Sequence, residues 1–401
     1  MRKKDFPFFK NNPKLSYLDN AATTQKPLAV IDAERNYYLR SNANIKRGSY
    51  DLAERATAAY EGARSCVAEF LGADNDELAF FSGTTEALNA VSVMIRRRIK
   101  KGDEILLSGM EHHSNFLPWK ALAEERGGKI KIIFPSSPTM EFRPEDFVNN
   151  ISAKTKVIAF SGASNFTGFK WREKDIRAVA LAARKAGAYS VLDGAQYIQH
   201  NQTNFKKMGV DFLAFSGHKI YAPMGTGGLL VRKEIRDELT PQKYGGEMVK
   251  SVRVGRIIYE DYPHILEAGT PNVGGAVALG AAVKYLKKIG IEKIAVEEEK
   301  LTDYLLSKIG SLKEVDYYGP KSPKERAPLL AFNIKGLHAH DVGYFLNKNK
   351  IAVRVGEHCA GPAHERLGIP ASIRASLSFY NSKEEIDRLA DAIEEIIAKN
   401  K

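Results

Sequence analysis

The strongest candidate for a reactive residue is a lysine that lies between a short apolar run and a glycine-rich stretch. The motif Ser-Gly-His-Lys occupies residues 216–219, and glycine-rich residues 225–228 follow it. A rigidly held lysine can form a Schiff base with a carbonyl group, and the neighbouring hydroxyl and imidazole can donate hydrogen bonds to a phosphate. The motif alone would also suit a surface turn with a solvated lysine, so Lys219 needs support from other segments.

Two further motifs supply groups that such a lysine would need. Asp-Gly-Ala-Gln at residues 193–196 follows an apolar run, and a carboxylate there can keep a pyridinium nitrogen protonated, so that the ring withdraws electrons. Ser-Gly-Thr-Thr-Glu at residues 82–86 opens a predicted helix, where Thr84, Thr85 and free N–H groups can hold a phosphate. An ordinary strand-to-helix turn and a capped helix without a ligand are the alternatives. Together the motifs predict a site for pyridoxal 5′-phosphate (PLP), with Lys219 as its Schiff-base lysine.

Histidine and cysteine side chains extend this chemistry. Glu-His-His-Ser-Asn at residues 111–115 offers an imidazole that can stack on an aromatic cofactor and move protons, whereas adjacent histidines do not share one face for a metal. Cys359 follows a strand-like stretch and precedes Ala-Gly-Pro, and this loop position beside His358 suits a nucleophile. No zinc site is predicted, because His358, Cys359 and His364 lack enough spaced ligands. Cys66 lies on the apolar face of a predicted helix and is expected in the core.

The elements that must position these residues alternate along the chain. Apolar spacing predicts a helix over residues 51–71 and a long helical stretch over residues 273–309. Strands alternating with helices predict an α/β fold with a mainly parallel sheet, which binds ligands at the carboxyl ends of its strands. The short apolar runs that predict strands are residues 77–81, 104–107, 129–134, 157–160, 190–192, 212–214 and 228–231.

The length of 401 residues exceeds one compact core of usual size. We expect an amino-terminal arm over residues 1–25 and a large PLP-binding domain over residues 26–280. A smaller carboxyl-terminal α/β domain is expected over residues 281–401, and it carries the Cys359 loop.

The composition excludes several classes of protein. The formal net charge is +12, but Lys and Arg are spread along the chain, which favours a solvated surface over a nucleic-acid partner. No apolar run reaches the ~18 residues that span a bilayer, and the basic start lacks the apolar stretch of a signal peptide. Two cysteines cannot form a disulfide framework. A cytoplasmic protein without a membrane partner is therefore expected.

With these motifs in hand, the chain resembles the class V aminotransferase family of PLP enzymes and, more narrowly, group II (SUF-type) cysteine desulfurases. The resemblance runs from Tyr-Leu-Asp-Asn-Ala-Ala-Thr-Thr at residues 17–24 to Phe-Tyr-Asn at residues 379–381. It includes Leu-Ala-Glu-Arg-Ala-Thr at residues 52–57 and Glu-Ala-Gly-Thr-Pro-Asn at residues 267–272. It implies the fold of PLP-dependent transferases of fold type I and a homodimer with active sites at the interface.

The resemblance also implies a role for each site residue. Lys219 would carry PLP and then remove the Cα proton, Asp193 would pair with the ring nitrogen, Gln196 would contact the phenolic oxygen, and His112 would stack on the ring. Cys359 would take the sulfur of L-cysteine as a persulfide, release alanine and supply a SUF-type scaffold or relay protein for iron–sulfur cluster assembly. The implied phosphate ligands are Thr84, Thr85, Ser216, His218 and, from a second subunit, Thr270, and the implied substrate-binding residues are Asn165, Arg354 and Arg374.

Three further positions lead to predictions that are specific to this chain. Lys46 and Glu357 stand where the resembling family has histidines, and we predict an ion pair between them, within the chain or across the dimer interface; two independent solvated residues are the alternative. His340, in Leu-His-Ala-His-Asp at residues 337–341, would act as a zinc ligand only in complex with a zinc-bearing scaffold, and no other metal is expected.

Other functions share much of this pattern. Selenocysteine lyase, kynureninase-like cleavage and transamination use the same PLP motifs. A PLP-fold protein that binds a scaffold with little catalysis is a further alternative, which intact Lys219, Asp193, Cys359 and Arg374 disfavour.

Overall fold

The computed structural model describes residues 3–137 and 139–400. In chain order, its first part contains α1 (Pro7–Asn11), β1 (Ser16–Tyr17), α2 (Leu28–Arg40), α3 (Asp51–Phe70), β2 (Leu78–Phe81), α4 (Thr84–Met94), β3 (Glu104–Ser108), α5 (Leu117–Arg126), β4 (Lys129–Ile133), α6 (Pro144–Val148), β5 (Thr155–Ser161), α7 (Glu173–Lys185), β6 (Tyr189–Asp193), α8 (Phe205–Met208), β7 (Phe212–Ser216) and β8 (Gly227–Val231). The second part contains β9 (Val249–Arg253), β10 (Arg256–Tyr259), α9 (Val273–Ile289), α10 (Ile291–Ile309), β11 (Val315–Tyr318), β12 (Leu329–Ile334), α11 (Ala339–Lys348), β13 (Ile351–Ala352), β14 (Arg354–Gly356), α12 (Gly361–Leu367), β15 (Ser372–Ser376) and α13 (Lys383–Lys399).

A seven-stranded sheet forms the centre of the first part. Its strand order is β2-β8-β7-β6-β5-β3-β4, and the strands from β7 to β4 pair in parallel. Strand β8 lies antiparallel to both of its neighbours. Each apolar run that predicted a strand forms one of these strands. The predicted α/β fold with a mainly parallel sheet is therefore confirmed.

Both faces of the sheet are buried, so polar side chains of its strands can meet at the strand ends. Along β6, Val191 packs into the apolar cluster on one face and Leu192 into the cluster on the other, and both are fully buried. Parallel strands covered on both faces present their carboxyl ends at a common edge. Ser161 at the end of β5 lies in register with Asp193 at the end of β6, so polar groups of neighbouring strands meet there.

The second part contains a smaller antiparallel sheet with the strand order β11-β12-β15-β14. Helices α10, α11 and α13 supply apolar residues to the core on it. The amino-terminal arm reaches this region, because β1 pairs in parallel with β13. Within residues 3–137 and 139–400, no helix has the length and apolarity needed to cross a membrane.

The helical stretch predicted over residues 273–309 is two helices rather than one. Gly290 has a φ of +92° and ends α9, and α10 begins at the next residue. Glycine adopts positive φ without a steric penalty and commonly ends helices for this reason. The helical periodicity on both sides of Gly290 hid the break. The boundaries of the three predicted regions, at residues 25 and 280, stay predictions.

A buried ion pair ties α3 to the loop before α9. Arg64 is 1% exposed and donates to the two carboxylate oxygens of Glu267 at 2.7 and 2.9 Å. Tyr60 Oη and the Phe80 N–H donate to the same carboxylate at 3.1 and 2.7 Å. Burial raises the pKa of Glu267, but the Arg64 charge and hydrogen bonds from His264, Arg64 and Phe80 outweigh it and lower the pKa to about 2. The carboxylate is thus ionised and fully bonded inside the protein.

Replacing Arg64 by methionine should therefore destabilise the protein. Arg64→Met leaves Glu267 buried without its guanidinium, and we expect the free energy of unfolding, measured by urea denaturation, to fall by about 3–5 kcal/mol. Because the folded pKa of Glu267 is depressed, its stabilising effect is present above the ordinary carboxyl pKa of about 4 and is lost as the pH falls toward 2. The difference between parent and variant should shrink as the pH is lowered from neutrality.

Glu61→Gln is the matched control. Glu61 also bonds Arg64, at 2.8 Å, but its side chain is 37% exposed. Removing a half-exposed ion-pair partner should cost no more than about 1 kcal/mol. Equal losses of unfolding free energy in both variants would show that burial does not increase the contribution of the Arg64–Glu267 pair to stability.

Candidate active site

A cavity of about 620 Å³ lies at the carboxyl ends of β5, β6 and β7, beside β14 and the loop that follows it. Thr270 lies elsewhere: it is exposed and borders a separate, smaller pocket. The other predicted site residues all line the cavity, namely Thr84, Thr85, His112, Asn165, Asp193, Gln196, Ser216, His218, Lys219, Arg354, Cys359 and Arg374.

Neighbouring strands place an amine and a carboxylate in this cavity. Lys219 lies in the turn after β7, and Asp193 ends β6. Burial lowers the pKa of Lys219 to about 8, against the opposing attraction of Asp193. Burial raises the pKa of Asp193, which the charge of Lys219 and a 2.8 Å hydrogen bond from the Ala195 N–H oppose. An amine with this pKa is partly unprotonated near neutral pH, so it can act as a nucleophile and as a base.

The first turn of α4 forms a corner of the cavity that is lined by hydroxyl groups. The Thr84 N–H donates to Ser216 Oγ at 2.8 Å, and the two hydroxyls share a second bond of 2.8 Å. The Thr85 hydroxyl bonds the Ser114 hydroxyl at 2.7 Å. His218 Nδ1 is buried and has no hydrogen-bond partner among the described residues. Hydroxyls, an imidazole and a helix N-terminus are the donors that a phosphate requires.

His112 is held as a neutral ring of defined tautomer. The Ser114 N–H donates to His112 Nδ1 at 3.1 Å, so the proton of the neutral ring resides on Nε2. Burial, reinforced by the charge of Lys219, lowers the pKa of His112 to about 4. A neutral ring that lines the cavity can stack on an aromatic cofactor and donate from Nε2.

Glu111, directly before His112, is a site residue that the sequence analysis missed. It is fully buried and accepts hydrogen bonds from Ser108 Oγ at 2.5 Å, Asn115 Nδ2 at 2.5 Å, and Ser161 Oγ and N–H at 2.6 and 2.9 Å. Burial raises its pKa to about 7. Glu111 thereby joins the end of β3 to the end of β5, one residue before His112 in the chain. Its place at the head of the Glu-His-His motif was the one signal in the sequence.

Asp19 is a second residue that the sequence analysis did not assign to the site. Its carboxylate accepts from Arg354 at 3.1 and 2.8 Å and from Arg374 at 3.4 Å. Arg374 also donates to the Asn165 carbonyl at 2.7 Å, is 2% exposed, and has an Nε without a hydrogen-bond partner among the described residues. The arginine pair is thus oriented by Asp19 and retains donor capacity for an anionic ligand.

Cys359 lies on a conformationally constrained loop. His358 and Cys359 have φ angles of +52° and +55°, a region that non-glycine residues adopt at a cost of about 1–3 kcal/mol. Asn165 Nδ2 donates to the His358 carbonyl at 2.6 Å, and the His113 N–H donates to the Cys359 carbonyl at 2.8 Å. The Cys359 side chain is exposed and lines the cavity. Cys66, by contrast, packs half-buried against the core, and burial raises the pKa of its thiol.

Two predicted residues are not brought together within the chain. The Lys46 amine lies 3.5 Å from the Glu247 carbonyl oxygen, and no ion pair in the described ranges joins Lys46 to Glu357. The predicted pair is therefore not formed inside one chain, and a pair across two subunits stays a prediction.

The residues present fit PLP. A buried amine can bind its aldehyde, the Asp193 carboxylate at a strand end can face its ring nitrogen, and the corner at the start of α4 can hold its phosphate. The buried His218 Nδ1, which has no partner among the described residues, can form a hydrogen bond with a bound ligand.

Comparison with known proteins agrees with this chemistry. The profile of the aminotransferase class V family matches residues 16–389. A probable cysteine desulfurase of Streptomyces coelicolor is 41% identical, over 98% of this chain and 96% of the relative, and one of Halalkalibacterium halodurans is 40% identical over the same shares.

Solved structures give the same result. The apo cysteine desulfurase of Thermococcus onnurineus superposes with a TM-score of 0.94 at 37% identity, covering 99% of this chain and 97% of that one. The cysteine desulfurase CsdA of Escherichia coli has a TM-score of 0.90 at 32% identity, with the same coverage. The expected fold type I and the expected enzyme class are thereby confirmed, and the chain belongs to the aminotransferase class V family of PLP enzymes, among its cysteine desulfurases.

Proposed function

We propose that this protein is a group II, SUF-type cysteine desulfurase that converts L-cysteine to L-alanine and carries the sulfur as a persulfide on Cys359 for iron–sulfur cluster assembly. The observation that carries the proposal is the position of Cys359. Its constrained loop brings an exposed thiol to the same cavity as the buried amine of Lys219. A nucleophilic thiol facing such an amine suits sulfur abstraction from an amino acid.

The protein would hold PLP through residues at the ends of β6 and β7 and at the start of α4. When bound, PLP withdraws electrons from the Cα atom of an amino acid attached to its aldehyde. Lys219 would anchor the aldehyde, Asp193 would stabilise a protonated ring nitrogen, and Gln196 would contact the phenolic oxygen. Gln196 is fixed by its own 2.6 Å hydrogen bond to the Ala21 carbonyl.

The substrate carboxylate would bind at the opposite end of the cavity. Arg374, Arg354 and Asn165 surround this end, and Asp19 fixes the two guanidinium groups from behind. An arginine paired to a carboxylate at longer range can add a second, charge-assisted bond to an incoming carboxylate. Such binding would orient an α-amino acid with its amine toward Lys219.

Proton and sulfur transfer then use groups of this chain. The Lys219 amine removes the Cα proton, which its pKa of about 8 permits near neutral pH. The Cys359 thiolate attacks the substrate sulfur, so that an S–S bond forms while the Cβ–S bond breaks and its electron pair passes to the substrate carbon. Protonation of that carbon, for which His112 lines the cavity, and return of the Cα proton from Lys219 leave alanine and a persulfide on Cys359.

A homodimer would complete the phosphate site. Thr270 lies outside the cavity of its own chain, on a loop anchored by the neighbouring Glu267. We therefore assign its phosphate contact to the cavity of a second copy, as the resemblance implies. The same arrangement would place Lys46 against Glu357 across the two chains. Within the chain, residues 26–280 would form the PLP-binding domain and residues 281–401 the domain that carries the Cys359 loop.

Borohydride reduction tests the cofactor assignment. We expect purified protein to be yellow, to lose its absorption band on reduction, and to yield a pyridoxyl group on Lys219 in peptide mapping, because Lys219 is the buried amine of the cavity. Modification of any other lysine would refute this assignment. Lys219→Arg, which keeps the positive charge, should lose the adduct while keeping the fold.

Replacing the nucleophile tests the sulfur step. Cys359→Ser should retain PLP and lose the persulfide, with alanine formation from L-cysteine falling by about 10²-fold or more, because a serine hydroxyl is a poor nucleophile for sulfur. Cys66→Ser is the matched control: it should keep near-parental turnover and lose about 1 kcal/mol of stability or less. Parallel assays with L-selenocysteine separate a desulfurase from a selenocysteine lyase. Near-parental turnover of L-cysteine by Cys359→Ser would contradict the proposal.

His340 tests the nature of the acceptor. His340 is exposed at the start of α11, where its ring stacks on His338 at 5.2 Å. An exposed neutral imidazole can replace a zinc ligand of a scaffold and free a thiolate. His340→Ala should spare basal desulfuration and lose stimulation by a zinc-bearing scaffold. His338→Asn, which retains a helix-capping side chain, should keep the stimulation. Undiminished stimulation of His340→Ala would exclude this acceptor mode.

A further inference from the structure

A buried hydrogen-bond network lies behind the Cys359 loop and joins three elements. Ser372 Oγ at the start of β15 lies 2.9 Å from His358 Nε2 and 3.2 Å from His364 Nε2 on α12. His364 Nδ1 lies 3.1 Å from the Ala360 carbonyl oxygen. All three residues are buried: His358 is 6% exposed, Ser372 is 0% exposed and His364 is 2% exposed. The network therefore holds the residue on each side of Cys359.

The carbonyl group sets the direction of every hydrogen bond in this network. Because the Ala360 carbonyl can only accept, His364 Nδ1 must donate, and the neutral ring then accepts at Nε2. The Ser372 hydroxyl donates its proton to His364, and its oxygen accepts from the Nε2–H of His358. The bonds run in one direction, from His358 through Ser372 and His364 to the backbone at Ala360.

Both imidazoles are kept neutral, as this direction requires. Burial, with the charge of Arg374 adding to it, lowers the pKa of His358 to about 2. Burial also lowers the pKa of His364, against opposing contributions from the Ala360 carbonyl and Glu357. Protonation of His358 would add an N–H at Nδ1, which has no acceptor among the described residues, and protonation of His364 at Nε2 would remove the acceptor of the Ser372 proton. Neutrality therefore preserves the pattern.

The network is also packed against the substrate end of the cavity. Phe166 is fully buried and stacks on His364 with ring centroids 4.0 Å apart. Its neighbour Asn165 donates to the His358 carbonyl at 2.6 Å and accepts from Arg374 at 2.7 Å. The loop that carries the nucleophile is thus fixed to the residues that would bind the substrate carboxylate.

We propose that Ser372 and His364 are positioning residues, which act through His358 and Ala360 to hold Cys359 in its left-handed conformation for attack on the substrate sulfur. The role in catalysis rests on the proposed function, whereas the network itself does not. Neither side chain touches the cavity; each acts on the backbone that flanks the thiol. Without the network, a loop with two consecutive positive φ angles would relax toward ordinary backbone conformations.

Hydrogen exchange of the holoenzyme without substrate measures the network directly. In Ser372→Ala and in His364→Met, amides of residues 357–364 should exchange about tenfold faster or more, because each change leaves buried groups without partners. Ser372→Thr keeps the hydroxyl and should restore most of the protection. Ser376→Ala is the matched control: Ser376 is equally buried on β15, two residues beyond Arg374, but bonds Ala21 and Leu18 instead.

The exchange experiment has clear contrary outcomes. Unchanged exchange of residues 357–364 in both Ser372→Ala and His364→Met would overturn the inference. Equal acceleration in the Ser376→Ala control would overturn it as well, since the effect would then belong to the strand and not to the network. If Ser372→Ala does not fold, His364→Met decides alone.

Turnover of L-cysteine measures the positioning role separately. Ser372→Ala and His364→Met should lower kcat by about 10- to 100-fold, the effect of a misplaced nucleophile, with little change in KM because Arg374 and Asn165 remain. A loosened loop with parental kcat would overturn the positioning role. Failure of the parent to form alanine would overturn the proposed function, and with it this role, while the exchange result would still report on the network.

Discussion

Burial of the Lys219 amine beside the Asp193 carboxylate is the interaction on which the rest of the site depends. Burial alone would deprotonate the lysine and protonate the aspartate, and each group opposes that change in the other. The balance leaves Lys219 with a pKa of about 8. It also leaves Asp193 as a carboxyl group that can pair with the protonated nitrogen of a pyridine ring. The seven-stranded sheet makes this possible, because two adjacent parallel strands bring both groups to one edge while covering them from water.

The remaining charges of the cavity are arranged around that pair without neutralising it. His112 is kept neutral by burial and by the charge of Lys219, so it adds no competing cation. Asp19 pairs with Arg354 and Arg374, whereas Asp193 interacts with Lys219. The cavity is therefore lined by hydroxyls at the start of α4, by the Lys219 amine and by the guanidinium of Arg374. In the proposed function these groups would serve the phosphate, the aldehyde and the substrate carboxylate.

Much of this arrangement was predictable because it is local in sequence. Strand-forming runs end directly at Asp193 and Ser216, so parallel pairing alone brings them together. The missed features depend on distant pairing: Asp19 meets Arg354 across 335 residues, and no local pattern reveals that contact. The sequence analysis did not predict the break between α9 and α10 at Gly290, because the helical spacing of apolar residues continues on both sides of it.

The proposed contacts between subunits lie beyond what a single chain can show. The sequence analysis predicts that Lys46 and Thr270 lie near an active site, but neither lines the cavity of its own chain. The direction of the network around Ser372 could not be read from sequence either. It follows from one carbonyl oxygen whose position depends on the folded loop.

The pairing of β1 with β13 has a consequence for biosynthesis. Ser16 lies in register with Ile351, so one partner leaves the ribosome long before the other exists. At the usual elongation rate of about 5–20 residues per second, the interval is on the order of tens of seconds. During that time Leu18, which is fully buried in the finished protein, has no partner strand beside it, and Asp19 has no arginine. A nascent chain therefore contains Lys219 and Asp193 well before Asp19 can pair with Arg354 and Arg374.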